Sequence, residues 1–269
     1  MEPLARVLDF YQSGQELERL TTGLGRLEAE RTRALITRFQ PSSARTVLDV
    51  GGGPGAHALW LAASGLEVHL LDAVPLHVEA ALRRSAAAPR GLASAVVGDA
   101  RALPYPDATA DMVLLLGPLY HLTDPQDWAN ALTEAFRCVR PGGVVFAAAI
   151  HRGASTVVGA QRGWVLDQAY LGMLEREWIT GEHRRPAEWP RLLVDAHFHS
   201  PQELTAELET AGFSVERVFG LEGPGWLMPD FSEAVQDPET REKLLWLASL
   251  LEDEPALSPH ILAVATRPT

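Results

Sequence analysis

A glycine-rich loop carries the clearest chemical signal in this chain. The apolar run at residues 47–50 includes one acid, Asp49, and the loop after it has glycine at every second position: Gly51, Gly53 and Gly55. Glycine lets backbone N–H groups approach a ligand that a Cβ would push away. The helix predicted after the loop points its positive end at the same place, which favours an anionic group. This pattern is typical of a nucleotide-binding loop.

Two classes of cofactor are compatible with this loop. Gly51, Gly53 and Ala56 match the dinucleotide pattern G-x-G-x-x-G/A, which indicates a nicotinamide cofactor. Asp49, taken with the three glycines, instead matches an acid-x-G-x-G-x-G loop. The loop alone does not separate these classes, so residues elsewhere in the chain have to distinguish them.

Acidic residues also stand at the ends of the next two predicted strands. Asp72 closes one apolar run, and Asp99 follows Gly98 at the end of the next. A carboxylate is suited to a vicinal diol, such as that of a ribose, because it accepts a hydrogen bond from each hydroxyl. Since nicotinamide-dependent enzymes place an acid in the same way, Asp72 leaves both classes open.

Two histidines follow the predicted fourth and fifth strands and are candidates for proton transfer. His121 lies in the block that begins at Leu116, and His151 follows a strand directly. Histidine is the side chain whose ordinary pKa suits a general base near neutral pH. We therefore select His121 and His151 as catalytic candidates, and Tyr120 as a wall of the substrate pocket. His121 has a simpler interpretation too, as a pocket residue that hydrogen-bonds the backbone.

A second pair of histidines, His197 and His199, is separated by one residue. An extended segment places both rings on one face, where His121 and His151 would be needed to complete a metal site. No acid stands beside the pair at a matching spacing, so we expect no metal ion here. We predict instead that His197 and His199 line the substrate pocket.

These candidates depend on strands and helices that alternate along the chain. Strands joined by helices pair in parallel through right-handed crossovers and form a doubly wound α/β sheet. Ligands of such sheets bind at the carboxyl ends of the strands, where the glycine loop, Asp72 and His121 fall. The pattern predicts strands at 46–50, 66–71, 93–98, 111–116, 143–150, 213–220 and 260–266, and helices at 56–64, 75–87, 126–139, 201–211 and 231–251.

Helical segments flank and interrupt this alternation. The stretch after the fifth strand carries many charges and aromatic residues without a clear strand, which predicts an inserted helical cap. Trp164 and Tyr170 either form the core of this cap or cover a substrate, and we select both as substrate candidates. The predicted units are an N-terminal helical lid at 1–43, the cofactor-binding core at 44–150, the cap at 151–195 and the C-terminal part of the sheet at 196–269.

Composition limits the partners of the chain. Its 269 residues carry a formal charge of −12, and such a surface repels phosphate backbones and anionic lipid. One cysteine, Cys138, excludes an internal disulfide and suits a reducing compartment. No apolar stretch reaches the length of a membrane span. We therefore expect a cytoplasmic protein that acts on a small molecule and has neither nucleic acid nor a membrane as partner.

Further blocks give the chain a specific resemblance to a known family. These blocks are Leu70-Leu71-Asp72, Val97-Gly98-Asp99-Ala100 and Arg140-Pro141-Gly142-Gly143. With the glycine loop, they resemble the class I S-adenosylmethionine-dependent methyltransferases over residues 45–150, and loosely over 200–267. The resemblance implies a seven-stranded, mostly parallel sheet that ends in an antiparallel pair, with S-adenosylmethionine as the cofactor.

The same resemblance implies roles for individual residues. Asp72 would bind the ribose hydroxyls, and Asp99 the adenine amino group. Tyr11 and Arg31 are candidates for the cofactor carboxylate, although Arg31 equally suits an ion pair with Glu28. The full set of implied cofactor residues is Tyr11, Arg31, Asp49, Gly51, Gly53, Gly55, Asp72, Ala73, Gly98, Asp99, Ala100 and Leu116.

The resulting hypothesis is methyl transfer from S-adenosylmethionine to a small-molecule acceptor, through an oxygen, nitrogen or carbon atom. In such a reaction the protein aligns the acceptor, excludes water and removes a proton where the nucleophile requires it. Two alternatives remain open. One is an NAD(P)-dependent oxidoreductase on the same kind of core, and the other is a non-catalytic protein that binds S-adenosylmethionine.

Overall fold

The fold is built on one seven-stranded sheet. The computed structural model describes residues 11, 15–189 and 192–269 of the chain. The strands of the sheet are β1 (Thr46–Val50), β2 (Glu67–Asp72), β3 (Ser94–Val97), β4 (Ala110–Leu115), β5 (Val139–Ile150), β8 (Ser214–Gly220) and β9 (His260–Thr266). Two short strands, β6 (Glu182–His183) and β7 (Ala196–His197), form a separate antiparallel pair.

The strand order in the sheet is β3-β2-β1-β4-β5-β9-β8. The first five of these strands pair in parallel, whereas β9 is antiparallel to both β5 and β8. The order reverses at β1 and β4, which creates a crevice at their carboxyl ends. This arrangement confirms the predicted doubly wound sheet that ends in an antiparallel pair.

Helices cover both faces of the sheet. Alternate residues of each strand point to opposite faces, so that Val113 of β4 packs into one apolar cluster and Leu114 into the other. The second cluster includes Leu35 and Leu61 from helices that precede β2, and the first includes Leu132. The helices are α1 (Gly23–Phe39), α2 (Ala56–Ala63), α3 (Pro75–Ala87), α4 (Pro125–Cys138), α5 (Ala154–Arg162), α6 (Gln168–Thr180), α7 (Pro201–Thr210), α8 (Phe231–Ala234) and α9 (Pro238–Leu250).

Three local features differ from the sequence-based expectation. The helix predicted at 231–251 is broken into α8 and α9, because Asp237 caps the Thr240 N–H and Pro238 then begins a new helix. The β6–β7 pair has its first strand in the segment predicted as a helical cap, where no strand was expected. The fifth strand begins at Val139 rather than at residue 143, with a register shift in its pairing with β4.

Local capping explains where other elements begin. Ser200 and Glu203 form a reciprocal capping box at the start of α7. Before α1, a 3-10 helix spans Gln15–Thr21. Its backbone lies so close to α1 that a Cβ on Gly25 would come within 2.2 Å of the Arg19 carbonyl oxygen. Within the described part of the chain, no helix is both long and apolar enough to cross a membrane.

Candidate functional site

A deep cavity opens at the crevice where the strand order reverses. The ends of β1, β2 and β4 form its floor, and the 3-10 helix at Gln15–Thr21 lies against its mouth. Including this mouth, the cavity holds about 1310 Å³ of space. A ligand in this space would contact residues that follow β1, β2 and β4 as well as residues of the 3-10 helix.

The glycine loop forms one wall of the cavity. Gly53 has a φ of +55°, and a Cβ added there would meet no described atom within 4 Å. It therefore faces open space that a side chain would fill. Gly51 has a φ of +71°, and a Cβ added to it would instead lie only 2.8 Å from the ring of Pro118. The loop is thus packed against Pro118 at Gly51 and faces open cavity space at Gly53.

Asp72 ties the end of β2 to this loop. Its Oδ2 accepts a hydrogen bond from the Gly53 N–H at 2.8 Å, and its Oδ1 accepts one from the Val74 N–H at 2.8 Å. The Nδ1 atom of His77 lies 3.1 Å from Oδ1. A carboxylate has about four acceptor positions, and three are occupied here, so Asp72 retains about one position for a ligand hydroxyl while it lines the cavity.

Asp49 lies beneath the loop with an unsatisfied carboxylate. Its side chain is 1% exposed, and neither oxygen hydrogen-bonds to any residue in the described ranges. Burial, together with the negative charge of Asp72, raises the pKa of Asp49 to about 7. A cationic group in the cavity would lower that pKa again, so the site is suited to a ligand that carries a positive charge.

Asp99 has a different environment from the one the sequence indicated. Its carboxylate forms a bidentate ion pair with the Arg101 guanidinium, at 2.6 Å between Oδ2 and Nη2. The hydrogen bond from Arg101 lowers the pKa of Asp99. Arg101 also pairs with Asp127 on α4. Asp99 still lines the cavity, next to Gly98 and Ala100, with one guanidinium already bound.

A tyrosine–histidine pair lies on the opposite wall. The Tyr11 hydroxyl and His121 Nε2 are 2.6 Å apart, and the Tyr11 ring makes edge contacts with His121 and His77. The other ring nitrogen of His121, Nδ1, is buried and has no hydrogen-bond partner among the described residues. Burial lowers the pKa of His121 to about 3. The imidazole is therefore neutral at pH 7 and accepts a proton weakly.

Most of the sequence-predicted cofactor residues meet at this cavity. Its lining includes Tyr11, Asp49, Gly51, Gly53, Asp72, Ala73, Gly98, Asp99, Ala100 and Leu116, together with the substrate candidate Tyr120 and the catalytic candidate His121. Gly55 and Arg31 do not belong to the lining. Gly55 packs toward Ala81 of α3, and the Arg31 guanidinium forms an ion pair with Glu252 at 2.6 Å.

The predicted catalytic residue His151 does not lie at the cavity. The prediction placed it at the reacting edge, but it is not part of the cavity lining in the described chain. Its Nδ1 accepts a hydrogen bond from the Gly153 N–H at 3.0 Å, at the first turn of the cap. β5 ends just before His151, and its last residue, Ile150, pairs with His260 of β9. This pairing carries the chain past the cavity. His151 therefore anchors the start of the cap.

The four remaining substrate candidates also lie away from the cavity lining. Trp164 and Tyr170 pack with Trp189, with ring centroids 5.1–5.7 Å apart, and the Tyr170 hydroxyl donates to the Ser155 carbonyl. They form the cap's own apolar core, which was the other interpretation of these aromatics. The remaining two, His197 and His199, lie together at the base of the cap.

Several cavity residues were missed by the sequence reasoning. Arg19 and Glu28 form an ion pair at 2.5 Å on the N-terminal wall. Nearby, the His260 imidazole lies 2.5 Å from Glu222 and 3.7 Å from Glu28. Burial opposes charge on His260, but the two glutamates outweigh it and raise its pKa to about 9. His57, at the start of α2, has a pKa lowered to about 4, chiefly by burial.

No signal in the sequence joined these residues, because they come from separate stretches of the chain. Only His57 adjoins a recognised motif, since it directly follows the glycine loop and Ala56. Burial of Glu28 raises its pKa, but Arg19 and His260 reverse this effect and bring the pKa to about 2. The Arg19–Glu28 ion pair therefore lines the cavity, and His260 lies next to it, 3.7 Å from Glu28.

The central part of the chain matches known methyltransferases. Residues 47–143 match a family model described as a methyltransferase domain. The chain is 35% identical over 127 residues to a ubiquinone/menaquinone biosynthesis C-methyltransferase of Roseobacter denitrificans, which covers 46% of this chain and 48% of that protein. It is 37% identical over 100 residues to the chloroplastic 2-methyl-6-phytyl-1,4-hydroquinone methyltransferase 1 of Oryza sativa subsp. japonica, covering 36% and 28%. The matches thus span about half the length, or less, of these relatives.

Similarity to solved structures extends over nearly the whole chain. A chain in the complex between the Haloferax volcanii Trm112 methyltransferase activator and the putative methyltransferase aligns with a TM-score of 0.62 and 21% identity. The alignment covers 98% of each chain. At this level of identity the likeness establishes the fold.

Proposed function

We propose that this chain, which belongs to the class I S-adenosylmethionine-dependent methyltransferase family, transfers a methyl group from that cofactor to a small-molecule acceptor. The observation that carries the proposal is the meeting of three features in one cavity. These are the open face of Gly53, the remaining acceptor position of Asp72 and the unpartnered carboxylate of Asp49 within the described chain. Together they are suited to a ligand with a diol and a positive charge.

The residues present fit S-adenosylmethionine. When bound, this cofactor supplies an electrophilic methyl group on a sulfonium, and it also carries an ammonium and a ribose diol. Asp72 would hold the diol, and Asp49 would compensate the positive charge. Asp99 would accept a hydrogen bond from the adenine amino group with the acceptor capacity that Arg101 leaves. The buried walls keep water away from the reacting groups.

We propose that catalysis depends mainly on placement of the acceptor. His121 was the first candidate for a general base, but its burial makes proton transfer to the imidazole unfavourable at neutral pH. Its contact with the Tyr11 hydroxyl instead fixes the position of that ring over the cavity. When a bound acceptor is held in line with the methyl group, its orientation alone supplies much of the rate enhancement of methyl transfer.

The acceptor is proposed to be a small aromatic molecule. Two relatives are named for quinone biosynthesis and for a hydroquinone, which supports testing hydroquinones first. The cavity wall that contains Tyr11, Tyr120 and His121 offers aromatic surface for such a ring. The identity of the accepting atom follows from the product, because methylation at carbon and at oxygen gives distinguishable compounds.

The experiment that tests this function has two stages. Mass spectrometry of the native protein identifies any ligand that co-purifies, and calorimetry then compares S-adenosylmethionine, S-adenosylhomocysteine and NADH. Binding of the first two with no binding of NADH is expected. A screen with methyl-labelled cofactor and a panel of hydroquinones, phenols and amines should then yield a labelled product.

Two outcomes would favour the alternatives. Binding of NADH in place of S-adenosylmethionine would indicate an oxidoreductase. Tight binding of S-adenosylmethionine with no labelled product from any acceptor would favour a non-catalytic binding protein.

We further propose that the protein is cytoplasmic and does not act on nucleic acid, on the basis of its net charge of −12 and its single cysteine.

A further inference from the structure

Two histidines and a glutamate meet at the base of the cap, outside the lining of the cofactor cavity. His197 belongs to β7, His199 follows it by two residues, and Glu207 lies on α7. One ligand atom from each side chain lies within 4.8 Å of the other two. The sequence indicated no metal site because no acid stood beside the histidines. The fold brings that acid from the next helix.

The backbone holds both histidines firmly. The His199 N–H donates to the Ile150 carbonyl at 2.9 Å, and the His199 carbonyl accepts from the Arg152 N–H at 3.1 Å. His197 is paired with Glu182 across the β6–β7 pair. The two rings therefore project from a fixed segment, with their centroids 4.6 Å apart.

Three polar atoms of this cluster have no hydrogen-bond partner within the described ranges: both ring nitrogens of His199 and Glu207 Oε2. His199 is 0% exposed, yet neither of its ring nitrogens hydrogen-bonds to a residue within the described ranges. Its Nε2 lies 3.2 Å from Glu207 Oε2, and this oxygen also has no hydrogen-bond partner among the described residues. Buried polar atoms without partners are rare and cost free energy. A cation between these two atoms would satisfy both.

The surroundings favour a metal ion over bulk water. The Trp128 ring covers the cluster, with its centroid 4.5 Å from that of His197 and 5.9 Å from that of His199. On another side Gly181 packs so closely that an added Cβ would lie 2.6 Å from His197 Cε1. An apolar shell of this kind limits the access of solvent to a metal site.

Glu207 is the acid that remains available. The other nearby glutamate, Glu203, already forms an ion pair with Arg152 and a capping box with Ser200. The Glu207 side chain is 18% exposed and approaches the cluster from the helix surface. This partial exposure of Glu207 also leaves a route by which an ion and a water molecule reach the site.

We propose that His197, His199 and Glu207 bind a divalent metal ion of the zinc class, with water as a further ligand. Zinc bonds of about 2.0–2.2 Å in a tetrahedron place ligand atoms about 3.3–3.6 Å apart. His199 and Glu207 are already near this spacing, at 3.2 Å, and a ligand atom of His197 lies within 4.8 Å of both. The ion would fasten the segment that returns from the cap to helix α7. This role is independent of the proposed methyl transfer.

The test uses the full chain freed of metal with a chelator. Zn²⁺ and Co²⁺ are titrated in separate experiments, and bound metal is counted by elemental analysis after gel filtration. We expect one equivalent, a higher melting temperature with Zn²⁺, and the visible absorption of tetrahedral Co²⁺. His199→Ala and Glu207→Gln should each weaken binding at least about 100-fold, since loss of outer partners alone costs about 10–100-fold.

Matched controls separate this site from general surface binding. Glu209→Gln changes an exposed acid on the same helix, and His69→Gln changes a histidine outside the cluster. Both should bind Zn²⁺ as the wild type does. Because Glu207 lies at the helix surface, its variant keeps the test decisive if His199→Ala does not fold.

Two results would overturn the proposal. One is a wild-type protein that takes up no stoichiometric Zn²⁺ or Co²⁺, which would leave His199 and Glu207 as a contact between two buried side-chain atoms without a metal. The other is wild-type affinity in folded Glu207→Gln. Binding of S-adenosylhomocysteine is measured on the same samples, so failure of the metal site is distinguished from failure of the proposed methyltransferase function.

Discussion

The Gly53 N–H donates a hydrogen bond to Asp72 Oδ2 at 2.8 Å, which joins the glycine loop to the end of the neighbouring strand. The loop wall and the acid therefore cannot be displaced independently. A ligand that contacts Gly53 is held at a defined distance from the Asp72 carboxylate. This hydrogen bond brings two separate sequence motifs together at one wall of the cavity.

Replacing Asp72 with Asn should weaken cofactor binding. The variant keeps the shape and one acceptor but loses the charge and the second acceptor, so S-adenosylhomocysteine affinity should fall by roughly 1.5–3 kcal/mol. Isothermal calorimetry measures this directly. Asp253→Asn, at an exposed acid that pairs with Arg217, is the control and should bind normally. Equal affinity in both variants would remove Asp72 from the cofactor site.

Gly53→Ala should abolish cofactor binding while the chain stays folded. The added Cβ enters open cavity space, and the positive φ costs about 1 kcal/mol. Gly163→Ala is a matched control, because Gly163 has a φ of +72° and likewise no described atom near a Cβ, but it lies at the end of α5. Both variants should lose similar stability in denaturant titrations. Only Gly53→Ala should lose S-adenosylhomocysteine binding.

Binding of the cofactor should depend on pH through Asp49. Its folded-state pKa of about 7 lies above the usual 3.8, so the free energy of unfolding falls as pH rises between these values, because the native state alone holds the proton. A cationic group of the bound ligand would lower the pKa of Asp49 again. Affinity for S-adenosylhomocysteine should therefore rise from mildly acidic to mildly alkaline pH, and binding should release a proton. Calorimetry in buffers of different ionisation enthalpy reports the released proton.

Asp49→Asn provides the check on this assignment. It should remove the pH dependence of binding, and it should make the ligand-free protein more stable than the wild type at mildly alkaline pH, since no charge is then buried. A wild type whose affinity is flat over this range, with no proton released, would show that Asp49 does not face the cation.

Methyl transfer should show no titration of His121 near neutral pH. With a pKa of about 3, the ring stays neutral throughout the range in which activity is measured. Once an acceptor is known, His121→Gln and Tyr11→Phe should each reduce single-turnover rates by roughly tenfold, through lost positioning. A loss of roughly 10²–10⁴, the range for positioned proton transfer, together with a rate inflection that disappears in His121→Gln, would restore His121 as the general base.

The buried pair of His260 and Glu222 should make stability depend on pH at the alkaline end. Because the pKa of His260 is raised from 6.5 to about 9 in the folded state, its contribution is complete below pH 6.5 and is lost as pH rises through 9. His260→Gln should therefore cost roughly 1–3 kcal/mol of unfolding free energy in mild acid and much less above the folded-state pKa. Urea titrations at several pH values test this, with His69→Gln as the control. A constant difference across pH would contradict it.

The sequence predicted the fold well where a segment shows one clear pattern of apolar residues. The run at β4 is buried at every residue, and the alternation of such runs with helices was enough to predict the doubly wound sheet. The cap was harder, because β6 and β7 are two residues each and their pairing depends on contacts across a long insertion. Short strands of this kind leave no periodicity to detect.

The site was predictable where it follows from backbone motifs, and not where it depends on tertiary contacts. Asp72 and Gly53 were selected as cofactor residues because strand ends and glycine spacing are local signals, and both residues line the cavity. Arg31 was misplaced because nothing in the sequence reveals that Glu252 lies beside it. The same limitation hid Glu207, which approaches His199 only after α7 has packed against the sheet.

Strand β9 occupies an interior position although it is the last strand along the chain. During synthesis on the ribosome, β5 and β8 must both emerge before the strand that lies between them. Until then each has an unpaired edge, and such edges invite pairing with other chains. The parallel strands that carry the glycine loop and Asp72 are made early and can pair without β9. Nascent chains are thus exposed to aggregation until β9 is made, after the half that carries the glycine loop and Asp72 has formed.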